Sequence, residues 1–540
     1  MPSRRWIRAA LGLSLLLAGS ACTDSQPPPT RGGSIRIEGE EPGSLDPAHA
    51  DDPSETRIVR NMFRGLVRFD ERRGSLQGAS ASKWEISSDA VTFVFYLRRD
   101  NKFSNGEPVR AENFVRAFER ATAPAESSPV APLFSEILGY RERHVTGASP
   151  DLAGVDALDE YTLRIRLSAP DAEFISKLAH PAFSPVPSDA TMLSRQPTWG
   201  EAPIGNGPWQ LKEPWKHNES IVLKPNPMYT GPDKPNLSEA VFVLLDDVNV
   251  SYEQWLAGNV DWSSIPAAQM NEVRSQNPDQ TVTGVTPRLV FLVALGSPPT
   301  NVKEFRQALS LAIDRAAIAR SGTWGGLASS ATGVIPPGVP GYRRPNNDGI
   351  GGCPSCRFDL AEARRILTTA KVRVPEFLDL NFTPVGNQDR WVEAIARSWK
   401  QNLGINSQPT SIRPFSDYVD ALHNSQLSGF AAFEISMTMS SPDSLLYTLF
   451  HSSSVGQLNL GRYKSADADR LLAAARGERD TATRIELYQQ AEARILQDLP
   501  IIPLWWLTEI RLARLSKFDG LEMDLFGDPT ITTAFLKPTE

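Results

Sequence analysis

Cysteine is nearly absent: three in 540 residues, at Cys22, Cys353 and Cys356. That excludes a disulfide-stapled scaffold or a Cys-rich metal centre for a chain of this size. Histidine is scarce too. The six are scattered at His49, His144, His180, His217, His423 and His451, and none forms the H-E-x-x-H pair of a zinc hydrolase. A G-x-x-x-x-G-K-[ST] phosphate loop and a G-x-S-x-G nucleophile elbow are both missing. Gly205-Asn206-Gly207 opens like a dinucleotide fingerprint, but Gln210 stands where the third glycine should fall. Ser80 and Lys83 satisfy S-x-x-K without the S-D-N and K-T-G companions that give the pattern its chemistry. The expectation is a protein that is not an enzyme, with no cofactor and no metal. A basic excess is also lacking: 56 Lys and Arg face 63 Asp and Glu, a net charge of −7, which argues against nucleic acid as a partner.

What is present suits a large extracytoplasmic protein. At 540 residues, with 41% hydrophobic and 22% charged residues, the chain exceeds the size at which one core usually stops growing, so at least two lobes are expected. Arg4, Arg5 and Arg8 precede an apolar run, residues 9–18, too short to span a bilayer. Gly19-Ser20-Ala21-Cys22 comes next, similar to a bacterial lipobox although Gly19 takes the place of the usual large aliphatic residue. Residues 1–22 therefore read as a lipoprotein signal ending in a lipidated Cys22, the alternative being plain secretion with a chance cysteine. Residues 23–33, rich in Pro, Ser and Thr, read as a flexible tether. In an exported chain, Cys353 and Cys356 are expected to form a local disulfide. Zinc would need two more ligands, and a thioredoxin-like role would need a strand before the motif.

Hydrophobic periodicity alternates between the two regular structures, favouring α/β lobes. Tyr161, Leu163, Ile165 and Leu167 alternate with polar residues as in a half-buried strand. Residues 91–97 are apolar on both parities, which predicts a strand covered on both faces, and Asn105-Gly106 then supplies a tight turn. Phe305, Leu309, Ala312, Ile313 and Ala316 form one helical stripe ending near Arg320; Ile485, Tyr488, Ile495, Leu496 and Leu499 form another, stopped by Pro500.

Ordered segments from Ile35 to Trp505 resemble the family 5 extracellular solute-binding proteins, the oligopeptide, dipeptide and nickel binders of ABC transporters. Glu41-Pro42-Gly43-Ser44-Leu45-Asp46-Pro47 is similar to the family's P-x-x-L-D-P opening, and Phe63-Arg64-Gly65-Leu66-Val67 to its F-E-G-L-V helix. The run from Trp84-Glu85 through residues 91–98 to Phe103-Ser104-Asn105-Gly106-Glu107-Pro108 resembles W-E-x-S-x-D followed by F-x-L-R and K-F-x-x-G-x-P. Ile204 to Trp209 is similar to I-G-T-G-P-Y, Asn226-Pro227-Met228-Tyr229 to N-P-x-Y, and Ile313-Asp314-Arg315 closes a match to V-R-x-A-L-x-x-A-I-D-R. The glycines of the 204–209 segment are expected to serve special backbone angles, and Asp314 to pair with Arg315 on their helix.

The resemblance implies a two-lobed periplasmic-binding-protein-like α/β fold of class II type with an extra inserted subdomain. Residues 34–60, 185–285 and 510–540 would form lobe I, 61–184 its inserted subdomain, and 286–509 lobe II. It implies capture of a peptide or similar polar solute between the lobes and delivery to an ABC importer, by a monomer that meets the membrane through its lipid anchor only. Ligand sensing or chaperoning without an importer, and an oligosaccharide or nickel-chelate ligand, are the alternatives. Where the family places an acidic residue for a peptide's ammonium, in a segment like A-D-Y-x-D-P, this chain has Met437 to Pro442 with Thr438 at the carboxylate position. The candidate ligand residues are Thr438, Ser440, the nearby Asp443 as a substitute carboxylate, Glu41 in the opening motif, and Trp391 and Tyr447 as stacking surfaces.

Overall fold

The computed structural model describes residues 31–70, 75–190, 197–266, 268–320, 324, 327–344, 352–372, 374–384, 388–437 and 441–538. Its backbone is a sheet of eleven strands running through both lobes. From one edge the path is Ser407–Ser411, Leu378–Phe382, Phe430–Ser436, Thr281–Ala294, Ile501–Ala513, Trp262–Ser263, Ser34–Gly39, Glu239–Leu244, Ser220–Pro225 and Trp209–Leu211, with Ala328–Ser330 pairing beside Ile501–Ala513.

The two long strands, Thr281–Ala294 and Ile501–Ala513, cross between the lobes as an antiparallel pair. At 14 residues the first is about 45 Å long, enough to start in one core and end in the other. Leu289 to Ala294 and Ile501 to Leu507 lie in a core with Trp391, Trp399, Phe430 and Ile495. At the other end Ala513 packs with Ile35, Ile37, Trp209 and Trp262. The register of the pair shifts between Val285 and Leu289, so the ladder is interrupted where the chain passes between lobes. A third core lies under a four-stranded sheet in the order Ala81–Ile86, Thr92–Leu97, Thr162–Arg166, Val155–Asp159.

Several sequence expectations are refined by this geometry. In Thr92–Leu97 only Phe93, Phe95 and Leu97 are buried, while Thr92, Val94 and Tyr96 stay half-exposed, so one face is covered and not two. The Lys83 ammonium lies 4.0 Å from the Tyr96 ring centroid on the outer face. The stripe expected to end near Arg320 is interrupted: one helix spans Lys303–Leu311, and Asp314 then accepts from the Ala317 N–H to open a short turn, Arg315–Ile318. Asp314 and Arg315 do not pair. The Arg315 guanidinium instead donates to the carbonyls of Pro503 and Ser310 and to Ser310 Oγ, all buried. Helix Thr481–Asp498 stops as expected, with Leu499 at φ +50° before Pro500. Cys353 and Cys356 are joined by a disulfide.

Candidate functional site

Helix Pro53–Met62 carries the first part of the site. Asp52 caps it by accepting from the Ser54 N–H, and buried Glu55 accepts from the N–H groups of Gly43, Asp51 and Asp52, which ties the helix start to the opening motif. Burial raises the Glu55 carboxyl above its ordinary value despite these bonds. The helix ends at Phe63, whose backbone is extended, so Arg64 to Val67 are not helical as the motif resemblance suggested. What turns the chain is the 204–209 segment. Gly207 N–H donates to Met62 O, and the Asn206 side chain both accepts from Arg64 N–H and donates to Arg64 O. A Cβ on Gly205 would lie 2.0 Å from Met62 O, and one on Gly207 2.5 Å from Met62 C. These glycines are thus required by close approach and not by unusual angles, since neither has positive φ.

The helix and turn line a cavity of about 450 Å³. Its wall takes Arg57 and Arg60 from the helix, Arg64 and Arg68 from the chain just beyond its end, Thr286, Arg288, Glu509 and Arg511 from the crossing strands, and Ser436 and Met437 from the second lobe. Apolar surface comes from Phe63, Val67, Phe69, Pro181, Leu525 and Phe526. Arg57 donates to Asp528 Oδ1 at 2.5 Å and Arg60 pairs with Asp528 and Asp524. The Arg60 guanidinium also lies 4.4 Å from the Phe526 ring centroid. Asp528 is held there by a turn in which Asp524 Oδ1 accepts from the N–H groups of Phe526 and Asp528, with Gly527 between them at φ +85°. Arg64 donates to Asp233 at 2.8 Å, Arg288 to Glu434 at 2.8 Å, and Arg511 pairs with Glu509. Burial opposes ionisation of Asp233, yet Arg64 and Arg68 hold its carboxyl below the usual range.

His180 completes the wall as a neutral group. Burial, with Arg60 adding to it, pulls its imidazole down to about 4. The Ala182 N–H donates to Nδ1, so the ring proton of neutral His180 is on Nε2.

The residues expected to touch ligand are placed elsewhere or lie outside the described residues. Asp443 is 3% exposed, and both its oxygens are taken: Arg476 donates to Oδ1 at 2.8 Å and to Oδ2 at 2.6 Å, and Tyr488 to Oδ1 at 3.0 Å. It is buried with its partners and does not line the cavity described above. Trp391 is fully buried against Trp505, at 5.7 Å between ring centroids, as part of the lobe core. Tyr447 is sandwiched between the Arg476 guanidinium, 3.3 Å from its centroid, and the His451 ring at 4.1 Å. Glu41 accepts from Asn218 N–H and faces His217 Nδ1 at 2.7 Å. None of these four lines the cavity. Thr438, Ser440 and Cys22 lie outside the described residues, although Ser436 and Met437 just before Thr438 are on the cavity wall.

The arginines were missed as candidates, although a signal existed. Arg57, Arg60, Arg64 and Arg68 recur at spacings of three, four and four, and Arg64 replaces the glutamate of the F-E-G-L-V pattern.

Two lobes joined by crossing strands, with a ligand-sized cavity walled by both, define a hinged binding protein. The comparisons with known proteins agree. The profile of the bacterial extracellular solute-binding proteins, family 5, matches residues 75–457. Among relatives, the chain is 30% identical over 481 residues, 88% of each chain, to the probable deoxycholate-binding periplasmic protein YgiS of Escherichia coli. It is 29% identical over 534 residues, 95% of each, to the periplasmic oligopeptide-binding protein OppA of the same organism. The solved unliganded open form of the periplasmic murein tripeptide binding protein MppA superposes with a TM-score of 0.83 at 26% identity, covering 94% of this chain and 99% of that one. The chain belongs to the family 5 extracellular solute-binding proteins. Among the described residues no helix is long and apolar enough to cross a membrane.

Proposed function

We propose that this protein captures a small, partly apolar solute such as a short peptide in the interlobe cavity, outside the cytoplasmic membrane, and delivers it to the permease of an ABC importer. The observation that carries this reading is the position of the cavity. Its wall draws on both lobes and on Thr286, Arg288, Glu509 and Arg511 of the crossing strands, so a bound solute bears on the relation between the lobes. A ligand touching both walls favours the conformation in which they face each other, and that is the state a permease would read. A volume of about 450 Å³ suits a ligand of a few residues. The relatives named for oligopeptides and for deoxycholate are consistent with a solute that is part polar and part apolar. The hinge falls near residues 285–289 and 507–510, where lobe I with its inserted subdomain gives way to lobe II. The protein acts by binding and not by catalysis, as a monomer tethered through a lipid on Cys22.

The test is native mass spectrometry of the purified protein, with the ligand released and identified, followed by calorimetric titration of that ligand. An intact solute that rebinds supports the reading; a protein that is empty and takes up nothing from peptide mixtures or cell extract removes it. Cys22→Ser should move the protein from the membrane to the soluble fraction, and unchanged fractionation would remove the anchor.

A further inference from the structure

We infer that the cavity selects anionic solutes with an apolar body, the acid group being held by the arginines around helix Pro53–Met62. This rests on the solute-capture reading and names its ligand class. Among the described residues the wall carries six guanidinium groups, those of Arg57, Arg60, Arg64, Arg68, Arg288 and Arg511, against three carboxylates. Two of those carboxylates are engaged: Asp528 by Arg57 and Arg60, and Glu509 by Arg511. The third, Asp51, is exposed. The carboxylates that balance Arg64 and Arg288, Asp233 and Glu434, are not on the wall. At Arg64 and Arg288 the wall therefore presents the guanidinium and not its partner carboxylate.

The arginines also differ in what they have already spent. Among the described residues, Arg68 donates only to the neutral amide oxygen of Gln77, at 3.3 Å, and acts on Asp233 through its charge alone. The neutral His180, its proton on Nε2, is a further donor on the same wall. A ligand ammonium would find the buried carboxylate of the wall, Asp528, already paired with Arg57 and Arg60. A ligand carboxylate, sulfonate or phosphate finds the opposite, and its apolar part can lie along Phe63, Phe69, Phe526 and Met437.

The probe is one compound in two charge states: N-acetyl-Leu-Phe as the free acid and as its carboxamide, titrated calorimetrically into the intact purified protein after removal of endogenous ligand. The blocked amino end keeps ammonium recognition out of the comparison. The acid should bind at least about tenfold more tightly than the amide, as expected for loss of one charge-assisted hydrogen bond. Arg68→Gln should weaken the acid by about tenfold and leave the amide unchanged, while Arg68→Lys restores most of the difference. Equal binding of acid and amide overturns the inference and leaves solute capture standing. Binding of neither overturns it as well, and the released native ligand then decides on its own whether solute capture survives. If Arg68→Gln alone fails to discriminate, the double variant Arg60→Gln/Arg68→Gln must; acid binding that survives both variants also overturns the inference.

Discussion

Two charged regions of this molecule bridge its lobes, and they use arginine in opposite ways. In the cavity, guanidinium groups line a hollow, with partners such as Asp233 and Glu434 behind them. A separate clasp joins the core around Phe174 and Phe183 to the core around Tyr488 and Ile495. There Arg476 pairs with Asp443 and with Glu136 of the opposite lobe, Lys177 pairs with Glu136 and Asp171, and Arg484 with Glu173. Ser441 donates to Glu173 at 2.6 Å and the Ala172 N–H to Arg476 O at 2.6 Å. The clasp is packed shut and its members are satisfied by one another, whereas the cavity presents donors to whatever enters. Charge that is fully internal holds structure in place; charge facing a hollow selects a ligand.

The same Asp→Asn change in each region breaks this comparison most directly. Asp443→Asn removes the bidentate partner of Arg476 and the acceptor of Tyr488 and leaves Arg476 with Glu136, so it should destabilise the protein by about 3 kcal/mol in urea unfolding. It should leave the affinity of the remaining folded protein for solute unchanged, because Asp443 does not line the cavity. A large loss of affinity with normal stability would return Asp443 to the ligand site.

The clasp is also pH-sensitive, with a defined sign. It holds four carboxylates, Glu136, Asp171, Glu173 and Asp443, against three cations, Lys177, Arg476 and Arg484. Beside it burial disfavours the charged forms of His451 and Tyr488, lowering the first and raising the second. One carboxylate is in excess, and it is Asp171: burial, with Glu136 and Asp443 adding and Lys177 opposing, pushes its carboxyl up to about 7. Burial would also raise Asp443, but the two hydrogen bonds and charge of Arg476 hold it below the usual range. A raised carboxyl favours the folded, clasped state while protonated. Its contribution is present below pH about 4 and is lost as pH rises towards about 7. Stability should fall by up to about 4 kcal/mol across that window after the other groups are subtracted, and Asp171→Asn should flatten this part of the profile. An unchanged profile in the variant would mean that the surplus proton resides elsewhere.

Gly527→Ala should cost about 1–2 kcal/mol, because φ is +85° and an added Cβ would lie 2.5 Å from Glu509 Oε2. It should weaken solute binding too, through displacement of Asp528 and Phe526; intact affinity would show that this turn does not set the cavity wall.

The smallest effect sharpens the contrast from the cavity side. Asp528→Asn removes the shared partner of Arg57 and Arg60, but Arg60 keeps Asp524 and Arg57 keeps the Glu38 carbonyl. The stability cost should be about 1–2 kcal/mol, below that of Asp443→Asn. Binding of the acid probe should tighten, since a negative charge leaves the wall. A cost as large as that in the clasp would mean the two regions do not differ in kind.

Much of the fold was legible in the residues themselves. Leu163 and Ile165 alternate because a half-buried strand has period 2, and the stripe ending at Leu499 and Pro500 is stopped by a residue that cannot donate. The ordered motifs carried the family, and two close cysteines in a chain read as exported carried the disulfide. The exceptions have local causes. Asp314 restarts a helix that periodicity alone would continue, and the glycines at 205 and 207 answer to Met62, some 140 positions earlier in the chain.

The site was less legible because it is made of pairings across long separations. Asp443 and Asp528 are chemically the same residue, and nothing local to either says that one is locked against Arg476, 33 positions on, while the other meets Arg57, 471 positions away. Tertiary structure alone assigned one to a buried clasp and the other to the cavity wall, and it placed Trp391 in a lobe core and Tyr447 between Arg476 and His451. Sequence determines periodicity, turns and motifs because these depend on neighbours a few residues apart. Which charges are spent and which face a ligand depends on what packs against them, and that is decided only when distant segments meet.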